Sequence, residues 1–241
     1  MVDNKSLGQI LKVALLAGLI AGTVAAIFHW TFTESLIDRA IEIENHAHAT
    51  LAGSSEEPVV SRPVQKAGLF AGFLLYGTAW GALLGLLIYA VRPWFVKLDY
   101  GRQGFLLALL LGWAVVIFPM LKYPANPPGV GEAETIGYRQ GLFVGLIALS
   151  LIGVTVALAI ERRLSGKGNV KRAAVVLGYL IYLALIYFTL PGNPDPIKLP
   201  ADLIESFRAL SLVGQVLFWG AMGGSFWWLR RGGAEHSDRP S

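Results

Sequence analysis

PMLKYPANPPGVGEAETIGYR, residues Pro119 to Arg139, is a proline- and glycine-rich connection between two long apolar runs, and it has an echo in PGNPDPIKLPADLIESFR, Pro191 to Arg208. Each copy leaves an apolar segment and makes a Pro-x-Asn-Pro turn, with Pro124, Asn126 and Pro127 in the first and Pro191, Asn193 and Pro194 in the second. Each then passes a matching patch to one arginine. Ala133-Glu134-Thr135-Ile136 precedes Arg139, and Ala201-Asp202-Leu203-Ile204 precedes Arg208. Hydropathy alone does not produce a shared order of Asn, Pro, acid and Arg, so the pair reads as a duplicated helix–loop–helix unit.

Working outward, 54% of the 241 residues are hydrophobic, 15% are charged and the mean hydropathy is +0.56. That is too apolar for an ordinary soluble domain and points to an integral membrane protein. The chain has no cysteine. Disulfides, thiolate zinc sites, iron–sulfur clusters and cysteine nucleophiles are therefore excluded together. The net charge of +4 is explained by membrane orientation, not by a nucleic-acid partner.

Crossing about 30 Å of hydrocarbon takes about 20 apolar residues as a helix, because every buried backbone group must be satisfied internally. Six stretches qualify: Leu7–Trp30, Ala67–Val91, Gly104–Phe118, Gly141–Ile160, Ala173–Leu190 and Ala209–Leu229. The expected fold is an all-α transmembrane bundle in one domain, built partly from repeated hairpins, with outer connections at 31–66, 119–140 and 191–208. The first stretch also fits a signal peptide, since Lys5 and Lys12 precede small residues near Val24-Ala25-Ala26. Phe28, Trp30 and Phe32 extend its apolar character and favour a span.

Basic residues set orientation, since cytoplasmic segments carry the excess of Lys and Arg. Thirteen of the 20 fall on the side of the termini and of the second-to-third and fourth-to-fifth connections, while 11 of the 16 acids fall opposite. Both termini are thus expected in the cytoplasm of a multi-pass protein of the cell (inner) membrane. Both Asn-Pro connections would face outward. Trp94, Trp227 and Trp228 suit an inner aromatic belt, and Trp30, Tyr123 and Tyr138 an outer one. Glycines four apart, at Gly18/Gly22, Gly68/Gly72, Gly77/Gly81/Gly85, Gly141/Gly145 and Gly220/Gly224, mark faces where helices approach closely within the bundle or in a homo-oligomer.

Candidate chemistry concentrates in Glu42-Ile43-Glu44-Asn45-His46-Ala47-His48. An extended segment would put Glu42, Glu44, His46 and His48 on one face. A helix would make Glu42/His46 and Glu44/His48 two pairs on different faces. Either offers carboxylate and imidazole to a borderline divalent metal such as cobalt, nickel or zinc. The alternative is a solvated amphipathic continuation of the first helix through Leu36, Ile37, Ala40 and Ile41. His29, five residues before Glu34, lies in an apolar run and reads either as part of an ion path or as a hydrogen-bonded structural histidine. Asn126, Asn193 and Asp195 could supply oxygen ligands beside carbonyls freed by the prolines; Asn-Pro also simply makes turns. Arg139 and Arg208 are placed to neutralise nearby acids such as Glu134 and Asp202, or to anchor helices at headgroup level.

No G-x-x-x-x-G-K-[ST], H-E-x-x-H or G-x-S-x-G occurs, so the chain carries no P-loop, zincin or hydrolase-elbow motif. No catalytic residue and no permanently bound cofactor is expected.

A small-residue-rich first span, an acidic and histidine-bearing segment, then PxLKYPANPPGVGxxETIxxR and PxNPDPxxxPADLIxxFR resemble the CbtA-type predicted cobalt transporter subunit family over most of the chain. The resemblance implies a part in cobalt(II) acquisition for cobalamin synthesis, beside a small one-span, histidine-bearing CbtB-type subunit. Glu44, His46, Pro119, Asn126, Pro127, Pro128 and Arg139 occupy motif positions, whereas His29 stands where the family more usually has Gln. The expectation is a subunit for uptake of cobalt(II) or a related ion, with outer capture by Glu42, Glu44, His46 and His48 and a path past His29, Asn126, Asn193 and Asp195. The alternative is a non-conducting subunit that delivers metal to a partner permease.

Overall fold

The computed structural model describes residues 6–52, 60–94, 98–164 and 168–235, and side chains throughout these except at 47–52 and 231–235. Helix α1 (Leu7–Phe28) starts at Ser6, whose hydroxyl accepts from the Gln9 amide. It passes through a π turn at His29–Thr33 and continues as α2 (Glu34–Ala52). Residues expected in an outer connection from position 31 are therefore helical as far as Ala52. The physical reason is in the sequence: 34–52 contains neither Pro nor Gly, and nothing there interrupts backbone hydrogen bonding.

Helix α3 (Arg62–Val91) carries Pro63 in its first turn, where a missing amide costs nothing, and ends in a 3-10 turn, Arg92–Trp94. Helix α4 (Tyr100–Gly112) is capped by Asp99, whose carboxylate accepts from the Arg102 amide at 3.0 Å. It runs through a second π turn, Trp113–Ile117, into α5 (Phe118–Lys122). This π turn answers to Pro119, which cannot donate to the helix and crowds the carbonyl one turn back; the Phe118 amide instead reaches Trp113 O, five residues earlier. The third span, Tyr100–Lys122, is thus longer than the expected Gly104–Phe118. After a 3-10 turn at Ala133–Thr135 come α6 (Ile136–Leu164), α7 (Asn169–Thr189) and α8 (Ala201–Glu235). Among the described residues six helical segments are long and apolar enough to cross a membrane, and they form an all-α bundle.

The core is built on α1. Antiparallel to it, α3 comes so close that a Cβ on Gly18 would collide with the Gly77 backbone, and one on Gly81 with the Ala14 carbonyl. Such backbone contact is open only to small residues and supplies the dispersion that holds helices together in lipid. α8 covers α1 and α4, so that Ile10, Ala14, Ala17, Ala21 and Ala25 are sealed under Phe218, Trp219, Met222 and Phe226. Gly104 and Gly112 of α4 receive the Phe226 and Trp219 rings. A smaller cluster joins Phe118 to Leu146 of α6 and to Leu183 and Ile186 of α7, and Trp113 Nε1 donates to the Tyr179 hydroxyl at 2.9 Å. The other anticipated small-residue pairs, Gly68/Gly72, Gly141/Gly145 and Gly220/Gly224, have no neighbour within 4 Å of an added Cβ. The alternating helices gather α2 and both Asn-Pro connections at one end of the bundle, the loop end. Arg92, Arg102, Arg162, Arg163, Lys171 and Arg172, on the helix ends next to the other connections, lie at the opposite, basic end.

Candidate functional site

At the loop end the two Asn-Pro connections interlock. Tyr123 leaves α5 and donates its hydroxyl to Pro191 O at 2.7 Å, joining the starts of the two copies. Asp195 of the second connection points into the first. Its Oδ2 accepts from the Glu132 amide at 3.0 Å and the Thr135 hydroxyl at 2.7 Å, and pairs with Arg139 Nε at 3.0 Å. Arg139 also donates to Glu132 O at 3.1 Å. In the opposite direction, Arg208 of α8 reaches back to the first connection and donates to Asn126 Oδ1 from Nη2 at 2.8 Å and from Nε at 3.3 Å.

The arginine of each copy therefore serves the other copy. Of the two roles the sequence offers these arginines, neutralising nearby acids such as Glu134 and Asp202 or anchoring helices at headgroup level, the first would pair them within copies. In the fold Glu134 is exposed and Asp202 pairs with Arg39 of α2 at 3.0 Å. The reason is geometric: both connections cap the same end, so each arginine's nearest acceptor is across, not along, the chain. Burial raises the pKa of the Asp195 carboxyl, but the Thr135 and Glu132 hydrogen bonds and the Arg139 charge outweigh it and hold the group below the ordinary aspartate value. Asn193 is exposed, and its Oδ1 accepts from the Asp195 amide at 3.1 Å, an Asx turn that aims the carboxylate.

The first connection is shaped by Gly129 and Gly131, at φ +79° and +101°, a region L side chains avoid. At Gly131 the space of a Cβ is filled by the Arg139 guanidinium, and at Gly129 a Cβ would stand 3.5 Å from the Glu44 carboxylate. α2 thus lies against the first connection. Of the two geometries open for 42–48, the helix is adopted: Glu42 and His46 form an exposed i,i+4 pair, 4.0 Å apart, while Glu44 turns toward Gly129. The His48 side chain lies outside the described residues. Among the described residues no three His, Asp or Glu side chains converge as a metal cluster.

His29 is buried in the first π turn. Its Nδ1 lies 2.9 Å from Thr33 Oγ1, its ring stacks on Phe73 of α3 at 5.0 Å, and Nε2 lies where a Cβ on Gly214 of α8 would be. Glu34 turns away from it to a network that sequence reasoning missed. Arg62 bonds Glu34 at 2.8 Å and Asp38 at 2.9 Å, and Lys66 bonds Asp38 at 2.9 Å. The signal was present: Glu34/Asp38 and Arg62/Lys66 are each four apart, one acidic helix face against one basic face.

Beneath Asn126, one face of α8 descends through Arg208, Ser211, Gln215 and Trp219, spaced three, four and four residues apart. At 3.6 residues per turn these fall within an arc of about 80°. Ser211 is buried, and the Gln215 Oε1 and Trp219 Nε1 atoms are buried with no hydrogen-bond partner among the described residues.

Six apolar helical segments with two interlocked connections at one end define a polytopic α-helical membrane protein. The chain belongs to the CbtA family, described as a probable cobalt transporter subunit, whose model matches residues 7–231. No curated protein and no solved structure matches the chain.

Proposed function

We propose that this chain is the membrane subunit through which cobalt(II), or a related divalent transition ion, enters the cell for cobalamin synthesis. It would lie in the cell (inner) membrane with both termini cytoplasmic, so that α2 and the clasped connections face outward. The observation that carries this reading is the reciprocal clasp, Arg139 to Asp195 and Arg208 to Asn126, set over the polar face of α8. The clasp is the closed form of the mouth. Opening it frees Asn126 Oδ1 and the Asp195 carboxylate for a cation whose charge competes with the two guanidiniums.

Glu42, Glu44, His46 and His48 collect the ion on α2, with water completing the coordination. Glu44 already rests on the first connection and hands the ion toward Asn126, Asn193 and Asp195. Below, Ser211, Gln215 and the His29 region offer oxygen and nitrogen ligands. A buried polar atom without a partner costs about 1–3 kcal/mol, so Gln215 and Trp219 are supported as places that water or cargo visits. An inside-negative potential supplies about 2.3 kcal/mol per charge per 100 mV, or roughly 4.6 for a divalent ion. The role is transport, not catalysis. A one-span CbtB-type subunit, or further copies of this chain, would supply the carboxylates that the spans lack.

A second reading, a non-conducting subunit that delivers metal to a partner permease, is favoured by the packing of the same core. Phe218, Met222 and Phe226 are fully buried and the α1 and α3 backbones touch, leaving little room for an ion in this conformation.

The test is cobalt(II) entry into proteoliposomes holding this chain alone, under an imposed inside-negative potential, with His46→Ala/His48→Ala as control. Entry above empty vesicles that falls in the double variant supports the permease. Measurable cobalt binding without entry overturns it and leaves the delivery role.

A further inference from the structure

Between the C-terminal half of α6 and the N-terminal half of α7 runs a groove of about 510 Å³. Gly153, Val156 and Ile160 line one side, Lys171 and Gly178 the other, and Tyr182 closes the floor. The Tyr182 ring fills the space over Gly153, and its hydroxyl donates to Leu149 O at 2.9 Å. From Gly153 to Leu164, α6 rises about 17 Å. That is close to one leaflet, half of a hydrocarbon core of roughly 30 Å. A partner helix crossing the membrane would need a groove of full length, but a lipid tail from one leaflet would not.

The end of the groove at Leu164 and Lys171 is cationic. Around it, Arg172 is paired with Glu161 at 3.3 Å and Arg162 lies over the Trp94 ring at 5.4 Å. Lys171 has no ion-pair partner among the described residues, and Arg163 stands at the same level beside Leu164. The remainder of the lining is apolar but for the tyrosine hydroxyls. We infer that this groove binds an anionic phospholipid, with one acyl chain along Val156 and Ile160 and the phosphate at the Lys171 ammonium. Basic pockets between transmembrane helices recognise anionic headgroups in this way, and the site is separate from the clasp at the loop end.

The experiment is native mass spectrometry of the full chain released from nanodiscs of phosphatidylglycerol, phosphatidylcholine or their mixture. Phosphatidylglycerol is expected to be retained in preference. Lys171→Gln should reduce that preference about fivefold, the worth of roughly 1 kcal/mol for one basic residue at a lipid surface. Gly178→Leu, whose added atoms meet no neighbour near Cβ, fills the groove without disturbing the backbone and should lower retention of both lipids. Equal retention of the two lipids by the unaltered chain, or a preference unchanged by Lys171→Gln, overturns the proposal. So does a dimer that Gly178→Leu dissociates, since the groove would then be covered by a second copy.

Discussion

Arg139 opens the apolar run of α6 yet holds Asp195 of the other Asn-Pro connection, Nε to Oδ2 at 3.0 Å, while Arg208 of α8 holds Asn126 in return. The Asp195 side chain is only 2% exposed. This exchange couples the two copies of the repeat, because neither connection can leave its place without stripping an acceptor from the other copy's arginine.

Arg139→Ala leaves the Asp195 carboxylate buried without its cation, and removing one partner of a buried pair costs more than removing both. The single variant is therefore expected to unfold at a lower temperature than the Arg139→Ala/Asp195→Ala double variant. Thermal unfolding in one detergent, read as a double-mutant cycle, gives the coupling directly. A single variant no less stable than the double would show that the pair is solvated.

Acid should open the same clasp. Asp195 has its pKa depressed in the fold, so its contribution to stability is fully present above the ordinary aspartate value of 3.8 and is lost as pH falls through the depressed value. The thermal midpoint of the unaltered chain should therefore drop more steeply below pH 3.8 than that of Asp195→Asn, and the two curves should run parallel above it. A steep drop retained by the Asn variant would assign the acid sensitivity to other carboxylates.

Gly131 tests the clasp from the backbone side. An alanine there meets both a left-handed φ and the Arg139 guanidinium, and the conformation alone costs about 1–2 kcal/mol. Gly131→Ala should lower stability. Gly137→Ala, in the first turn of α6 with nothing near its Cβ, should be neutral or gain up to about 1 kcal/mol. Equal effects at the two glycines in thermal unfolding would rule out the steric account.

What the sequence disclosed, and what it hid, follows from the range of each signal. Apolar length is local, so the six spans and the duplicated connections were legible, as was the helical alternative for 42–48. Partner choice is not local. Arg139 lies closer in sequence to Glu134, and only the convergence of both connections at one end gives it Asp195. The Glu34/Asp38 and Arg62/Lys66 spacing was visible, but only the fold sets α2 against the start of α3 and so makes the two pairs partners. Glycine spacing proved half informative: Gly18 and Gly77 mark a contact, while Gly141 and Gly145 carry the same spacing on an open face. The repeat looks alike in both places, and only a neighbouring helix distinguishes them.

The polar face of α8 separates the two functional readings. Ser211 and Gln215 lie on the face sealed toward the core, whereas Val213 and Val216 are about half exposed on the opposite, lipid-directed face. Because the chain contains no cysteine, single Cys substitutions can be read without background. In proteoliposomes, Ser211→Cys and Gln215→Cys are expected to react with a charged, membrane-impermeant thiol reagent, and cobalt(II) should slow the reaction. Val213→Cys and Val216→Cys should stay unreactive, since hydrocarbon does not admit a charged reagent. The expectation rests on energetics: Gln215 Oε1 lacks a protein partner among the described residues, and in lipid such an atom must recover its hydrogen bond from water or from an ion. Labelling at 211 but not at 215 would place a plug between them, at the level of His29 and Gly214. Silence at both positions in a folded, cobalt-binding protein would mean that the face is dry, and the chain would then hold its metal only at the loop end.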